Sequence, residues 1–186
     1  NMNKLAIVIP VYNESETISS VLKSLQGIAK IYLIDDKSVD NTYEISKNFD
    51  CTIIRNKYNL GYSKSIQKGI KKAIEDGSNS IITFDGDGQH SSDDAREIAK
   101  LLKLGYEVVI GNRDRKSRVI EKISSFFTRY IYRIKDPFCG LKGYKLENHT
   151  ILNRYLENNI HDVNTFLMIK IIKDGGKFTN LNINTK

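Results

Sequence analysis

The feature that most constrains the fold is a regular alternation of short apolar runs with amphipathic segments. Five apolar runs have the length and the β-branched composition of buried strands: 4–10, 31–34, 51–55, 80–84 and 107–110. Between these runs the apolar residues recur at helical spacing. Strands that alternate with helices predict an α/β fold with a Rossmann-like, mainly parallel sheet and helices on both faces.

The rest of the chain extends the same pattern within one domain. A turn at 136–140 precedes a short strand and helix, a longer helix is expected over 160–174, and a last strand over 178–183. The 186 residues suffice for a single domain, 1–186, with a full core. No run approaches the roughly 20 apolar residues of a membrane span.

Polar residues follow four of the predicted strands at the point where each strand ends. They are Asn13 and Glu14, Asp35 and Asp36, Asp85 and Asp87, and Asn112 and Arg113. In open α/β sheets ligands bind beyond the carboxyl ends of the strands, so these residues predict one site at one edge. Neither a GxGxxG fingerprint nor a Walker loop is present, which disfavours dinucleotide-dependent and P-loop enzymes.

The stretch 85–90 places two aspartates one residue apart, with glycines beside them. Alternate side chains of a strand point the same way, so Asp85 and Asp87 can face one object. Hard oxygen ligands of this kind suit a divalent cation that substrate phosphates also hold. Taken alone, the Asp-Gly pairs also fit an ordinary polar turn, in which His90 is a turn residue with a free ring.

A basic segment follows Arg113, and the net charge of the chain is +7. From Arg113 to Lys135 basic residues are interleaved with apolar and aromatic residues at helical spacing. This pattern fits a membrane-surface helix and, equally, an ordinary helix packed on the sheet. Nucleic acid is the weakest interpretation of the charge, because no binding motif accompanies it. Cys51 and Cys139 lack metal-ligand spacing and are expected to be reduced.

Taken together, several motifs resemble the family 2 glycosyltransferases of the GT-A fold. They occur in order at 8–14, 35–40, 59–61 and 85–90. The segments 111–113 and 136–142 are similar to the distal motifs of the subgroup that transfers sugars to polyprenyl phosphates, such as the dolichol-phosphate mannose synthases. The resemblance covers nearly the whole chain. It implies a nucleotide-sugar half at about 1–112 and an acceptor-side half at about 113–186.

The resemblance also implies a set of donor-site residues. Pro10, Tyr12 and Glu14 match positions that cradle the base and ribose, and Asp36 matches a position that contacts the nucleotide. The metal, Mg²⁺ or Mn²⁺, is expected on Asp85 and Asp87, where it neutralises the departing diphosphate.

Further residues are assigned to catalysis and to phosphate binding. Asp87, Gln89 and Arg113 are the expected catalytic residues, with Gln89 near the sugar and the metal. Arg113 is suited to clamp phosphate bidentately, and Lys142 to hold it as a point charge, although both also fit solvated surface bases.

The implied reaction is the inverting transfer of a hexose from a GDP- or UDP-linked sugar to polyprenyl phosphate. A phosphate acceptor is already anionic and needs positive charge rather than a general base. Arg113, Arg115, Arg118 and Arg129 are candidates to supply that charge. The expected location is cytoplasmic and peripheral, at the cytoplasmic face of the membrane, with no nucleic-acid partner.

Two alternatives remain open at this point. The family often carries a Glu-Thr-Glu-Leu pattern where this sequence has Asn164 and Phe166, which keeps a non-catalytic, nucleotide-sugar-binding homologue in view. The other alternative is transfer to a glycan hydroxyl. That reaction needs a carboxylate base, for which Asp162 and Asp136 are poor candidates.

Overall fold

A mixed sheet organises the molecule. The computed structural model describes residues 4–113, 133–146 and 162–183. Within them lie seven strands: β1 (Leu5–Val11), β2 (Lys30–Asp35), β3 (Thr52–Arg55), β4 (Ser80–Thr83), β5 (Val108–Arg113), β6 (Lys142–Lys145) and β7 (Phe178–Ile183). They form one sheet in the order β3-β2-β1-β4-β6-β5-β7.

Helices connect most of these strands. They are α1 (Ile18–Leu25), α2 (Thr42–Ser46), α3 (Tyr62–Glu75), α4 (Ser92–Lys103) and α5 (Val163–Lys173). Helix α4 begins after Ser91, which forms a capping box with Asp94. The predicted strands and helices are thus confirmed to within a few residues along the described chain.

The sheet is mainly parallel, as predicted. Strands β3, β2, β1 and β4 run parallel to one another, and β5 runs parallel to β7. Strand β6 is the exception, because it lies antiparallel between β4 and β5. The apolar pattern predicted a short strand here but carries no information about its direction.

The core lies on both faces of the sheet, since alternate side chains of each strand point to opposite sides. On β1, Ala6 and Val8 pack into the cluster that α3 and α5 cover, whereas Ile7 and Ile9 pack into the cluster that α1 and α4 cover. All four side chains are fully buried. Helices therefore flank both faces, and the polar strand ends collect at one edge.

The predicted basic amphipathic helix lies almost entirely outside the described residues, as do Arg115, Arg118 and Arg129. The expected short helix after β6 also lies outside them. In the segments that the structure describes, no helix is long and apolar enough to cross a membrane.

Candidate active site

A cleft of about 1140 Å³ opens at the carboxyl ends of β1, β2, β4 and β5. The predicted residues that line it are Pro10, Tyr12, Glu14, Asp36, Asp85, Asp87, Arg113 and Lys142. Gln89 does not line the cleft, but its backbone N–H donates to Asp87 Oδ1 over 3.0 Å. The fold thus brings eight of the nine predicted residues to one cavity.

Asp85 ends the buried run of β4 and is held on both carboxylate oxygens. The Tyr62 hydroxyl donates to Oδ1 over 2.7 Å, and His90 Nε2 lies 3.0 Å from Oδ2. Burial raises the pKa of Asp85, but the hydrogen bonds from His90 and Tyr62 outweigh burial and hold this pKa below its usual value of 3.8. Asp85 is therefore an ionised carboxylate at neutral pH.

The expectation of a free His90 ring is wrong. The His90 side chain is only 3% exposed, and its ring meets Phe84 edge-on at a centroid distance of 5.7 Å. The ring can be buried because its Nε2 is hydrogen-bonded to the Asp85 carboxylate. The sequence of the polar turn did not indicate this contact.

A second acidic group, Glu14, faces the aspartates from the loop after β1. The Glu14 backbone N–H donates to Thr42 Oγ1 over 2.7 Å, and the Thr17 hydroxyl reaches both Glu14 Oε2 and the Gly86 carbonyl. Burial, and next the charge of Asp87, raise the pKa of Glu14 above 4.5. This crowding of negative charge favours a cation in the cleft.

The paired aspartates fit Mg²⁺ or Mn²⁺. Among the described residues, no group of three or more His, Cys, Asp or Glu side chains is placed to hold a metal ion alone. Mg²⁺, however, commonly takes one or two carboxylates together with substrate phosphates. A carboxylate offers about four lone-pair sites, so the two hydrogen bonds on Asp85 leave sites for a metal. Asp85 and Asp87 are the residues that would hold it.

Asp36 lines the cleft, and its carboxylate also organises the loop before α3. Oδ1 accepts from the Leu60 backbone N–H and from Asn56 Nδ2, and Oδ2 accepts from the Gly61 backbone N–H, each over 2.8 Å. Gly61 has φ +86°, a conformation that favours glycine. This loop places the first turn of α3, including Tyr62, against the cleft.

Arg113 makes a bidentate ion pair within the protein. Its Nε lies 2.7 Å from Asp136 Oδ2, and its Nη2 lies 3.1 Å from Asp136 Oδ1. The two side chains are 19% and 16% exposed, so Arg113 is not a solvated surface base. Asp136 is an ion-pair partner here, which makes it unsuited to act as a general base.

Lys142 is likewise not a surface base, because it is only 1% exposed within β6. Its Nζ donates to the Cys139 carbonyl. Burial lowers the pKa of Lys142 from its usual value of 10.5. Lys142 thus brings an amino group to the inner wall of the cleft. Cys139 itself is a free, buried thiol, and burial raises its pKa to about 11.

Asn164, where the family often has glutamate, lies in the wall of the cleft. Its amide donates to the Gly140 carbonyl over 3.1 Å, and its Oδ1 accepts from the Tyr144 hydroxyl over 2.6 Å. It also contacts the Thr83 hydroxyl at 3.2 Å. Asn164 is 3% exposed, so it ties α5 to β4 and β6 as a buried polar link.

The fold and the cleft define the class of protein. A mainly parallel sheet with paired aspartates after β4 is an α/β domain of the GT-A glycosyltransferase type. The structure of glucosyl-3-phosphoglycerate synthase from Mycobacterium tuberculosis, solved with Mn²⁺, uridine diphosphate and phosphoglyceric acid, aligns with a TM-score of 0.75. The two chains are 15% identical, and the alignment covers 97% of this chain and 69% of that one.

The chain belongs to glycosyl transferase family 2, whose family model matches residues 6–169. UDP-N-acetylglucosamine--dolichyl-phosphate N-acetylglucosaminyltransferase of Methanococcus voltae is 29% identical over 182 residues, which are 81% of this chain and 72% of that protein. Dolichol-phosphate mannosyltransferase of Pyrococcus furiosus is 30% identical over 168 residues, which are 77% of this chain and 47% of that protein. The resemblance drawn from the sequence motifs is confirmed.

Proposed function

We propose that this protein transfers a hexose from a nucleotide sugar to a polyprenyl phosphate, with a divalent metal at Asp85 and Asp87. The observation that carries the proposal is the cleft itself, in which two carboxylates face the same space as Arg113 and Lys142. Opposite charges arranged in this way suit a substrate diphosphate together with the cation that binds it.

The donor half of the cleft is assigned to the nucleotide. Pro10, Tyr12, Glu14 and Asp36 would surround the base and ribose, at the end of the cleft that β1 and β2 form. When bound, Mg²⁺ or Mn²⁺ supplies charge neutralisation for the departing diphosphate. Asp85 and Asp87 hold that charge in place. Arg113 and Lys142 line the same cleft and would add positive charge there.

The transfer would be a direct displacement. An oxygen of the acceptor phosphate forms a bond to the anomeric carbon while the bond from that carbon to the diphosphate oxygen breaks, so the configuration inverts. The electron pair of the broken bond leaves with the nucleoside diphosphate. The acceptor oxygen is already anionic, so the protein removes no proton in this step.

The contacts of the two candidate bases support a phosphate acceptor over a hydroxyl acceptor. Asp136 is paired with Arg113, and Asp162 caps α5 by accepting from the Thr165 backbone N–H over 3.0 Å. Both carboxylates are thus engaged in structural contacts, which makes them poor candidates to deprotonate a hydroxyl group. The name of the Methanococcus voltae relative joins a UDP-sugar donor to a dolichyl-phosphate acceptor.

The sugar is the part of the proposal that the relatives specify least. One relative carries N-acetylglucosamine in its name and the other mannose. We therefore keep both UDP- and GDP-linked hexoses as donors. We place the reaction at the cytoplasmic face of the membrane, where the lipid acceptor would be reached from a peripheral position.

A turnover assay tests the proposal. UDP-N-acetylglucosamine, UDP-glucose and GDP-mannose are each incubated with the protein, Mn²⁺ or Mg²⁺, and undecaprenyl phosphate, and release of the nucleoside diphosphate is measured. Release is expected with at least one donor. It should stop with EDTA, with Asp87→Asn, or when undecaprenol replaces its phosphate. Equal release with undecaprenol would instead establish a hydroxyl acceptor, and no release with any donor would contradict the proposal.

A further inference from the structure

Two side chains that the sequence motifs did not assign to the site hold the carboxylate of Asp85. The Tyr62 hydroxyl approaches Oδ1 from the first turn of α3, and His90 Nε2 approaches Oδ2 from the loop before α4. Each oxygen thus has its own partner, and the two partners come from different elements. A carboxylate held on both oxygens is restrained in its rotation about the Cβ–Cγ bond.

The burial of His90 indicates that this contact is specific. Since an ionised carboxylate only accepts hydrogen bonds, we assign a hydrogen to Nε2. Nδ1 is buried and makes no hydrogen bond within the described chain. The imidazole is therefore taken out of solvent with one hydrogen bond, to Asp85, and with its edge-on contact to Phe84.

The position of Tyr62 is also fixed, because the loop before it is anchored to Asp36. Asp36 accepts from the backbone N–H groups of Leu60 and Gly61, the two residues before Tyr62. Tyr62 as a whole is 47% exposed, and its hydroxyl donates a hydrogen bond to Asp85 Oδ1 over 2.7 Å.

We infer that Tyr62 and His90 are positioning residues, which fix the Asp85 carboxylate so that its remaining lone pairs face the cleft beside Asp87. Partners of this kind orient a metal ligand before the metal arrives and so strengthen metal binding. The inference rests on the proposed function in one respect, namely that Asp85 is a metal ligand.

A Mn²⁺ titration tests the inference. Mn²⁺ is added to the protein in the presence of UDP, and in a parallel series with GDP, and the free Mn²⁺ is measured by electron paramagnetic resonance. Tyr62→Phe and His90→Ala are each expected to weaken Mn²⁺ binding by roughly 10- to 100-fold. The affinity for nucleotide in EDTA should not change. His90→Gln should recover part of the loss, because its amide can donate to Oδ2.

Tyr58→Phe is the matched control. Tyr58 belongs to the same loop, is 75% exposed and does not line the cleft, so its substitution should leave the Mn²⁺ titration unchanged. A general loss of folding would lower nucleotide affinity in EDTA as well. The positioning role predicts a selective loss of metal affinity.

Crystal structures of the metal-free variants provide a second readout that does not depend on any metal. In Tyr62→Phe and His90→Ala the Asp85 carboxylate is expected to rotate or to adopt two conformers. An unmoved carboxylate in both variants, or unchanged Mn²⁺ affinity in both, would overturn the inference. If the wild-type protein binds no Mn²⁺ with either nucleotide, the proposed function fails, whereas these crystal structures still decide the positioning role.

Discussion

Substitution of Gly140 by alanine provides a sharp test of the candidate metal site. A Cβ atom on residue 140 would lie 2.5 Å from Asp85 Oδ1 and 2.7 Å from Asp85 Cγ, and closer still to Oδ2. Real Cβ atoms essentially never approach other atoms below 3.0 Å. Gly140 does not have a positive φ, so the backbone itself accepts alanine. The methyl group must therefore displace the Asp85 carboxylate.

The size of the effect follows from the contacts that Asp85 would lose. A hydrogen bond to a charged group contributes about 1.5–3 kcal/mol, and Asp85 has one from Tyr62 and one from His90. Loss of one of them corresponds to roughly a 10- to 150-fold change in an equilibrium constant. Gly140→Ala should therefore weaken Mn²⁺-dependent UDP or GDP binding by at least about tenfold. The free energy of unfolding should fall by about 2 kcal/mol.

Calorimetric titration of nucleotide in Mn²⁺ and in EDTA, together with urea denaturation, measures both effects. Gly143→Ala is the matched control, since its Cβ would meet Ile98 and Leu102 of α4 on the core side of β6. Gly143→Ala should lower stability but spare metal-dependent binding. In an Asp85→Ala background the added methyl at 140 should lose most of its effect on both measurements, as expected for directly coupled residues.

The reasoning is refuted if folded Gly140→Ala binds Mn²⁺ and nucleotide with wild-type affinity. It is also refuted if Gly140→Ala and Gly143→Ala reduce metal-dependent binding equally. In the first case Asp85 would tolerate displacement, and in the second the loss would reflect general destabilisation of β6.

Three further predictions follow from individual contacts. Asn164→Ala should lower the free energy of unfolding by about 1–3 kcal/mol, because the buried groups that bond to the Asn164 amide would lose a hydrogen-bond partner. Urea denaturation measures this change, and an unchanged midpoint contradicts the role. Arg113→Lys loses the bidentate fork toward Asp136, so turnover in the donor panel should fall by about tenfold or more, and equal rates exclude a role for the fork. Burial raises the pKa of Asp40, but hydrogen bonds, mainly from Thr42, lower it from 3.8 to about 2. The stability that Asp40 contributes is thus complete above pH 3.8 and is lost as the pH falls towards 2, and Asp40→Asn should flatten this part of the acid unfolding curve.

The overall architecture could be predicted because its signals are local. Strand and helix periods are readable within windows of several residues. Each of β1, β2, β4 and β5 ends in, or is followed by, at least one polar residue that lines the cleft, whereas Asn13, Asp35 and Asn112 do not line it. The order of strands and helices then implies the shared edge, since parallel strands present their carboxyl ends together. Five predicted residues line the cleft for this reason: Glu14, Asp36, Asp85, Asp87 and Arg113. The other three, Pro10, Tyr12 and Lys142, were assigned from the family resemblance.

The contacts that shape the site could not be predicted, because they join residues far apart in the sequence. The Tyr62 hydroxyl meets Asp85 across 23 positions, and Arg113 meets Asp136 across the same separation. The burial of Lys142 could not be predicted, since lysine is seldom fully buried. Its burial becomes apparent only when β6 is placed between two other strands. The position of Tyr62, directly after the 59–61 motif, is the signal that could have drawn attention to it.

The insertion of β6 also has a consequence for how the chain can fold. Strand β4 ends at residue 83, and its partner β6 begins at residue 142. Two adjacent strands of the sheet are thus separated by nearly 60 residues of sequence. Among the described strands, β5 pairs with β6 and β7 and not with β4, so its backbone hydrogen bonds link it to the earlier strands through β6. Pairings that are this distant in sequence slow the search for the native state. The pairing of β6 with both β4 and β5 is therefore needed to join the two parts of the sheet, and the chain up to residue 113 lacks it.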